Sequence, residues 1–467
     1  MSAEMKAIAA ESRKRCPRFN KRRALFILAL LPFTVFATTP GGTQVAAIDP
    51  GVRVGPPGAG KAITGLSQNQ LAFFGAGQAN FVQIDSVTGS VPGTDGGLGP
   101  RFNGESCGQC HSQPAIGGTS PLPNPQIAAG HDQQASNYIP FFITIDGPVR
   151  EARFPLTADL RHADGGVHDL FTISGRSDAS GCKLAQPDFG VAAEAGNLIF
   201  RIPTPVFGGG LIESISDAAI VANMNSHLDR KRELGIFGRP NTSGNDGTIT
   251  RFGWKAQNKS LEVFAGEAYN VEMGVTNELF PTERDETPGC RFNGTPEDLT
   301  NFDLNGTELP SDIVRFATFM RFLDQPQPAL ATESTLRGRH IFHEIGCALC
   351  HTGSFTTGQS SIAALTHIEA SVFSDLLLHH MGPGLADNVS QGAAGGDEFR
   401  TAPLWGLGQR IFFLHDGRTS DLVKAIHEHA SEGNRQYPGS EANAVVHNFR
   451  QLRPQEQQDL LNFLRSL

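Results

Sequence analysis

Apolar residues recur at helical spacing in several segments of the chain, and this spacing predicts that α-helices are the main regular structure. Helices are predicted over residues 67–74, 217–234, 311–323, 332–345 and 420–431, and a last one begins at Pro454. Ser420 is placed to cap the fifth helix, because a serine side chain can accept a hydrogen bond from a free N–H group of the first turn. The pattern therefore predicts a mainly α fold.

Strands and turns interrupt the helical pattern. The segments 141–145 and 169–173 have the β-branched and aromatic residues typical of strands, so we expect a small antiparallel β insertion there. The chain contains 53 Gly and 29 Pro residues, which predicts long ordered loops. The segment Gln325-Pro-Gln-Pro328 ends a helix, and we place a domain boundary there, between residues 61–325 and 326–467.

The N-terminus has the parts of a secretory signal. Basic residues lie between Arg13 and Arg23, the apolar run from Ala24 to Phe36 follows them, and small residues suit cleavage after Ala37. We therefore interpret residues 1–37 as a signal peptide and 38–60 as a linker, which predicts a periplasmic protein that is soluble after cleavage. An uncleaved signal would instead anchor the protein in a membrane.

The segment Cys107-Gly-Gln-Cys-His111 is repeated far downstream as Cys347-Ala-Leu-Cys-His351. Random placement of the Cys and His residues would give roughly 0.003 such matches, whereas two occur. In a C-x-x-C-H segment the thiols can bind the vinyl groups of one haem, and the histidine is placed to ligate its iron. The repeat therefore predicts two covalent c-type haems, with His111 and His351 as iron ligands. The residues that would attach the haems are Cys107, Cys110, Cys347 and Cys350.

Two other uses of paired cysteines fit less well. A zinc ribbon brings its two C-x-x-C pairs within about 15–20 residues of each other, whereas most of this chain separates them. A thioredoxin-like redox motif does not require a histidine after the second cysteine. A helix before C-x-x-C-H and another at the C-terminus are typical of a cytochrome c domain. We therefore expect two cytochrome c-like haem domains, the first of which carries the β insertion.

Two cysteines of the exported chain lie outside the repeated motif. Cleavage of the signal would remove Cys16 and leave Cys182 and Cys290 in an oxidising compartment. These two residues either form a disulfide or remain two separate buried thiols, because sequence alone does not show whether they meet.

The ligand opposite each proximal histidine decides whether an iron only transfers electrons or also binds small molecules. In the predicted helix 420–431, Leu422, Ala425 and His429 share one face. His429 is therefore the predicted sixth ligand of the iron on His351, and His427 is its nearest rival.

The first haem is the predicted site of an open iron, because no helix-borne histidine follows His111 closely. Reductive cleavage of a bound peroxide needs a group that moves a proton from the inner to the outer oxygen, and a carboxylate suits that task. Glu262, Glu267 and Glu272 lie near Trp254 in the sequence and are the candidates, although three exposed glutamates on a helix would look the same.

Several longer stretches resemble a known bacterial family. They are GLGPRFN at 97–103, GLIESI at 210–215, RFGWKA at 251–256, DLLLHHMGPGLAD at 375–387, FRTAPLWGL at 399–407 and LHDGR at 414–418. Over residues 66–467 the chain resembles the di-haem oxidoreductase, putative peroxidase family, which is also labelled thiol oxidoreductase-like. That family is a distant relative of the bacterial di-haem cytochrome c peroxidases.

The resemblance implies roles for four residues. The segment NVEMGVT at 270–276 is similar to the peroxidase segment that carries the catalytic glutamate, which implies that role for Glu272. Glu262 stands ten positions earlier, where the peroxidases have a glutamine, and a second carboxylate would raise the pKa of one of the pair. Trp254 lies near the place of the tryptophan between the haems, and a core aromatic is the equal alternative. His429 stands where the peroxidases have a methionine ligand, which implies a lower potential.

The resemblance also implies a calcium ion between the haems, with backbone carbonyl groups near Thr401 as ligands. It implies an enzyme that takes electrons from a small donor protein at the His351 haem and reduces hydrogen peroxide or a related oxidant at the His111 haem. The formal net charge of −9 would attract a basic donor and argues against nucleic acid as a partner. Two alternatives remain: an electron-transfer cytochrome without catalysis, and an oxidase or oxygenase acting on an organic or thiol substrate.

Overall fold

Helices are the main regular structure of the computed structural model, which describes residues 46–467. The predicted signal peptide and the first part of the predicted linker lie outside the described residues. The helices are α1 Gln68–Val82, α2 Cys107–Cys110, α3 Gln126–Ala129, α4 Phe189–Glu194, α5 Gly209–Ser214, α6 Asp217–Met224, α7 Leu228–Leu234, α8 Leu261–Met273, α9 Asp312–Phe322, α10 Glu333–Glu344, α11 Leu422–Glu428, α12 Asn443–Gln451 and α13 Pro454–Ser466. Within the described range, no helix has the length and apolarity to cross a membrane.

Short strands pair into small antiparallel sheets of two strands each. The strands are β1 Arg101–Phe102, β2 Glu151–Arg153, β3 Phe171–Thr172, β4 Ile199–Arg201, β5 Asn301–Phe302, β6 Glu308–Leu309, β7 Phe355–Thr356, β8 Glu369–Ala370, β9 Leu378–His380 and β10 Glu398–Arg400. Strand β1 pairs with β3, β2 with β4, β5 with β6, β7 with β8 and β9 with β10. The predicted class, mostly helical with small antiparallel sheets, is confirmed, and the sheets extend beyond the first predicted domain.

The strand predicted at residues 141–145 is wrong. The Ile143 N–H donates to the Pro140 carbonyl and the Gly147 N–H donates to the Thr144 carbonyl, so this segment forms two consecutive turns. Phe141 is 65% exposed, which shows that the segment does not bury two faces as a core strand would. The second predicted strand forms only as β3, and its partner is β1 just before the first C-x-x-C-H motif rather than residues 141–145.

Most predicted helices form, with shifted ends. The first helix continues to Val82 beyond the predicted end at residue 74, and the predicted helix 217–234 is interrupted before α7, where His227 adopts a left-handed backbone. Asp421 rather than Ser420 caps α11, because its carboxylate accepts the Lys424 N–H at 2.9 Å. Helices α9, α10 and α13 lie where the sequence predicts them.

Two close helix crossings have the same construction. Gly77 of α1 lies against the backbone carbonyl of Arg315 in α9, and Gly338 of α10 lies against that of Asp459 in α13. A side chain at either glycine would collide with the facing backbone, so glycine permits each close approach. Beside each crossing an aromatic ring packs near a motif histidine. The ring centroids of Phe81 and His111 lie 6.0 Å apart, and those of Phe342 and His351 lie 6.4 Å apart.

The beginning of the described chain binds the last helix. Asp49 forms a buried ion pair with Arg465 of α13 at 2.7 Å, and the Arg53 N–H donates to the Gly408 carbonyl at 2.7 Å. The described part of the predicted linker is therefore held against the C-terminal part of the chain.

Cys182 and Cys290 form a disulfide with a Cα–Cα distance of 4.7 Å, which decides between the two alternatives that the sequence left open.

Candidate haem sites

A cavity of about 1170 Å³ lies beside Cys107, Cys110 and His111, and we call it the first cavity. Its polar wall comes from β2, β4 and α8, and its apolar wall from the helices of the first crossing. The charged and aromatic residues that line it include Phe81, Arg150, Glu151, Arg153, Arg201, Trp254, Glu267, Tyr269, Glu272 and Phe316. A largely apolar cavity with a few converging polar groups is what a bound cofactor requires.

A second cavity of about 1440 Å³ lies beside Cys347, Cys350 and His351. Its wall is mostly apolar and is built from α10, α11, α12 and α13. The lining residues include Trp254, Phe342, Arg400, Arg410, Phe413, Leu422, Ala425, His429, Phe449, Leu460 and Leu464. Each C-x-x-C-H motif therefore faces its own cavity.

Three histidines share one hydrogen-bonding arrangement. The Nδ1–H group donates to a backbone carbonyl in each: to Gly118 for His111 at 3.0 Å, to Phe373 for His351 at 3.0 Å and to Ala425 for His429 at 2.7 Å. Because a carbonyl only accepts, Nδ1 carries the proton and Nε2 keeps its lone pair. A backbone partner at the other nitrogen is the usual support of a metal-ligating histidine.

Burial keeps these imidazoles neutral. It lowers the pKa of His111 and of His351 to about 4, and it also lowers the pKa of His429. A neutral imidazole is the form that binds a metal, so all three side chains are in the state that an iron requires. The rival His427 does not line the second cavity, and its Nδ1 accepts a hydrogen bond from Arg450.

Burial favours the protonated thiol form of three motif cysteines, Cys107, Cys110 and Cys347, because it raises their pKa values. Burial raises the pKa of Cys110 and of Cys347 to about 12. A redox-active or zinc-binding cysteine instead needs a pKa below its ordinary value. This electrostatic environment argues against both alternatives and fits thiols that react with a haem held in the cavity.

Two buried guanidinium groups favour an anionic ligand in the second cavity. Arg400 and Arg410 are each 8% exposed, and within the described residues neither has a carboxylate at ion-pair distance. Burial, together with the mutual repulsion of the pair, lowers the pKa of Arg400 to about 10. Their donors reach only backbone carbonyl groups, including Gly253 at 3.1 Å. Buried cations of this kind need a partner charge, which the propionate groups of a haem would provide.

Glu272 of α8 shares the first cavity with Glu151 of β2. The side chain of Asn103 donates to Glu272 at 2.9 Å and so fixes its orientation. Burial raises the pKa of Glu272 well above its ordinary value, and the neighbouring Glu151 carboxyl raises it further. The raised pKa favours the protonated form of the Glu272 carboxyl group.

Glu151 is held in the opposite state. Burial alone would raise its pKa, but Arg153 and Arg201 lower it below the ordinary value. The pairing of β2 with β4 places Glu151 directly opposite Arg201, and Arg153 also forms an ion pair with Glu151. The pKa of Glu272 is thus raised and that of Glu151 is lowered. This difference is expected of two carboxyl groups that act as an acid and a base in one site.

The structure does not bring all predicted glutamates into the site. Glu267 lines the first cavity and accepts a hydrogen bond from Asn258. Glu262, in the first turn of α8, does not line this cavity. Ten residues of helix place Glu262 and Glu272 about 15 Å apart along the axis, so the second carboxyl group of the site is Glu151, which the sequence did not single out.

Trp254 lines both cavities. Its indole N–H donates to the Ile202 carbonyl at 2.9 Å, which fixes the ring between the two walls. Trp254 therefore lies between the two cavities, and its role between two haems stays a prediction.

A buried set of charges lies beside Trp254. Asp387 forms ion pairs with Arg201 of the first cavity at 2.6 Å and with Lys255 at 3.0 Å. Lys255 is fully buried, and its ammonium group lies 4.0 Å from the centre of the Phe399 ring, which lines the second cavity. The two cavities therefore share a rigid, charge-paired wall.

The environment of Thr401 does not resemble a calcium site. Its carbonyl oxygen accepts the Ser374 hydroxyl at 2.6 Å. Within the described part of the chain, the only cluster of metal-ligating types is Cys350, Asp375 and His379, in which His379 is already hydrogen-bonded to Asp375 at 2.9 Å. Calcium therefore stays a prediction.

These features define a mostly helical redox protein whose two cavities suit two haems. The chain belongs to the family described as "Di-haem oxidoreductase, putative peroxidase", whose model matches residues 190–467. The match includes Trp254, Glu272, His351 and His429, whereas the first motif precedes it. Membership implies two haems and a peroxidase-like role.

Several solved structures also match the chain, at low sequence identity and low TM-score. A MauG-like protein associated with microbial copper homeostasis is 18% identical over 57% of this chain and 90% of that chain, with a TM-score of 0.30. Hydrazine synthase of Kuenenia stuttgartiensis is 13% identical over 94% and 100%, with a TM-score of 0.34. The diheme peroxidase BthA of Burkholderia thailandensis is 14% identical over 46% and 65%, with a TM-score of 0.27. No curated protein matches the chain.

Proposed function

We propose that the protein is an exported di-haem c-type oxidoreductase that reduces a hydroperoxide in the first cavity with electrons received at the second. The observation that supports this most strongly is the unequal lining of the two cavities. His429 faces the second cavity, whereas Glu151 and Glu272 line the first, where His111 is the only histidine among the described lining residues. One site is thus suited to electron transfer and the other to chemistry.

A haem attached through Cys107 and Cys110 would supply the iron that binds the hydroperoxide and the electrons that cleave its O–O bond. Glu272 is the group that carries the proton from the inner to the outer oxygen, so that the outer oxygen leaves as water or an alcohol. Glu272 must lose its own proton before this step, and the charge of Glu151, which Arg153 and Arg201 stabilise, sets the pH at which it does so. Glu262 has no part in this proposal, because it lies outside the cavity.

Electrons would enter at the second cavity. His351 and His429 would ligate the iron of a haem attached through Cys347 and Cys350, and Trp254 provides an aromatic group between the two sites. The donor would be a small protein in the periplasm, attracted by the negative net charge. Residues 61–325 and 326–467 would be the two haem domains, each built on one of the helix crossings.

A mass spectrum and optical titration of the purified, full-length exported protein test this proposal. We expect two covalently attached haems, removal of residues 1–37, and carbon monoxide binding to one of the two reduced irons. A protein without covalent haem would refute c-type attachment. Two saturated irons without peroxide turnover would identify an electron-transfer cytochrome, and turnover driven by oxygen and an organic or thiol substrate would identify an oxidase.

A further inference from the structure

Tyr269 places a phenol group in the wall of the first cavity. It lies one turn before Glu272 on α8, is 4% exposed, and lines the cavity together with Cys107 and His111. Its ring packs edge-on against Phe316 with the centroids 5.1 Å apart, so its orientation is fixed. The ring therefore has a defined position next to the space that a haem would fill.

The phenol hydroxyl points towards two carboxyl groups. It donates to Asp85, in the segment after α1, at 3.2 Å, and lies 3.5 Å from Asp312 at the start of α9. Within the described residues, no cation lies at ion-pair distance from Asp85, and Asp95, Glu105 and Asp312 are its charged neighbours. The hydroxyl group of a buried tyrosine needs one hydrogen-bond acceptor, and a neutral backbone carbonyl group is sufficient. Tyr269 instead donates to a buried carboxyl group that has no cationic partner among the described residues. The need for a hydrogen-bond acceptor does not explain this arrangement.

The protonation states of Tyr269 and Asp85 favour a reaction in which a proton and an electron leave Tyr269 together. Burial raises the pKa of Asp85 to about 7, so near neutral pH the carboxylate can accept a proton. Burial and the surrounding carboxylates raise the pKa of Tyr269 well above its ordinary value, so the phenol does not ionise by itself. Tyr269 can lose its proton only together with an electron, and Asp85 is in hydrogen-bond contact to receive that proton.

We propose that Tyr269 and Asp85 form an additional redox site of the first cavity. After a hydroperoxide has oxidised the haem there, Tyr269 gives one electron to the haem and its phenolic proton to Asp85, and becomes a neutral tyrosyl radical. This inference rests on the proposed function.

The step balances with the hydroperoxide as oxidant. Cleavage of the O–O bond takes up two electrons and two protons and yields water and an alcohol, or two waters from hydrogen peroxide. Tyr269 supplies one of the electrons and the haem supplies the other, and the two protons come from solvent. The Tyr269 O–H bond breaks, and a new O–H bond forms on Asp85. Two electrons from the second cavity then complete the cycle: one returns to the haem, and the other, with the proton held by Asp85, restores the phenol.

Freeze-quench electron paramagnetic resonance of the haem-loaded, full-length protein tests the inference. Mixing with hydrogen peroxide in the absence of an electron donor should give a tyrosyl radical signal, which should change shape when ring-deuterated tyrosine is incorporated. Tyr269→Phe should abolish the signal, whereas Tyr138→Phe, at an 84% exposed position, should keep it. Asp85→Asn, which keeps a polar side chain but cannot take the proton, should lower the radical yield at least tenfold.

The outcomes separate this inference from the proposed function. Peroxide consumption without a radical, or a radical that persists in Tyr269→Phe, would overturn the inference and leave the peroxidase function intact. If Tyr269→Phe fails to fold, a labelled signal that persists in both Tyr138→Phe and Tyr437→Phe assigns the radical to Tyr269, because the chain contains three tyrosines. A wild-type protein that does not consume peroxide would overturn both.

Discussion

The first and second cavities repeat one construction and differ in their walls. In each, a glycine in one helix permits a close crossing with a second helix, and an aromatic ring beside that crossing contacts the motif histidine. The second cavity has apolar helices and His429 in its wall, whereas charged groups on β2, β4 and α8 line the first. The comparison teaches that the two cavities share their helix crossings and differ in the charged groups on β2, β4 and α8, which line only the first.

The largest effect is expected from Glu272→Gln, which removes the carboxyl group that distinguishes the first cavity. Peroxide turnover should fall roughly 100- to 10,000-fold, while both haems stay attached. Steady-state kinetics with a reduced donor measure the change. Glu262→Gln is the matched control, because it makes the same replacement on the same helix outside the cavity. Equal rates for the parent and the Glu272→Gln variant would remove Glu272 from the mechanism.

His429→Ala should make the second cavity resemble the first. Without this side chain, an iron on His351 would have an open position, and carbon monoxide should bind both reduced haems rather than one. Optical titration with carbon monoxide counts the sites. The control variant His427→Ala changes a histidine two residues earlier, outside the second cavity. It should still bind carbon monoxide at one reduced haem. Binding at a single haem in His429→Ala would exclude His429 as a ligand.

Loss of the disulfide should weaken the first cavity more than the second. The loop that Cys182 and Cys290 close contains Trp254 and Glu272 and spans 108 residues. Cys182→Ser should lower the free energy of unfolding by roughly 2–5 kcal/mol, measured by denaturant titration. Cys290→Ser should have the same effect, and the double variant should not be additive. An unchanged midpoint would show that the bond contributes little to stability.

Glu151→Gln should have the smallest effect, a shifted pH profile. The Glu151 charge raises the pKa of Glu272, so the neutral amide in the variant lowers that pKa. Because Glu272 must lose its proton before it can accept one from the peroxide, activity that rises with pH should begin to rise at lower pH in the variant. The pH dependence of kcat/KM measures the shift. A shift to higher pH would contradict the assigned pair.

The residues beside each cavity that belong to the C-x-x-C-H motifs could be identified from the sequence because they are local. The spacing of C-x-x-C-H fixes two thiols and a histidine within one turn of chain, and helical periodicity places His429 on the apolar face of its helix. Glu272 required the resemblance to the family, since nothing in its own helix distinguishes it from Glu262 and Glu267. The structure separates Glu262, which lies outside the first cavity, from Glu267 and Glu272, which both line it.

The residues missed by the sequence come together through long-range pairing. Glu151 meets Arg201 only because β2 pairs with β4, although fifty positions separate them in the chain. Asp85 meets Tyr269 only where α1 and α8 pack on α9. The alternation of charged residues around Glu151 could have indicated a strand. It could not have identified Arg201 as the residue opposite. The strand predicted at residues 141–145 is wrong for the same reason. Its composition suits a strand, but none of the described strands pairs with it.

The contact between Asp49 and α13 bears on the order in which the two sites can assemble. All residues that line the first cavity lie between Phe81 and Met320, so this cavity can form without the part of the chain that carries the second motif. The second cavity cannot close until α13 has been synthesised, because Leu460 and Leu464 form part of its wall. Asp49, one of the earliest described residues, then binds Arg465 and fastens the last helix in place.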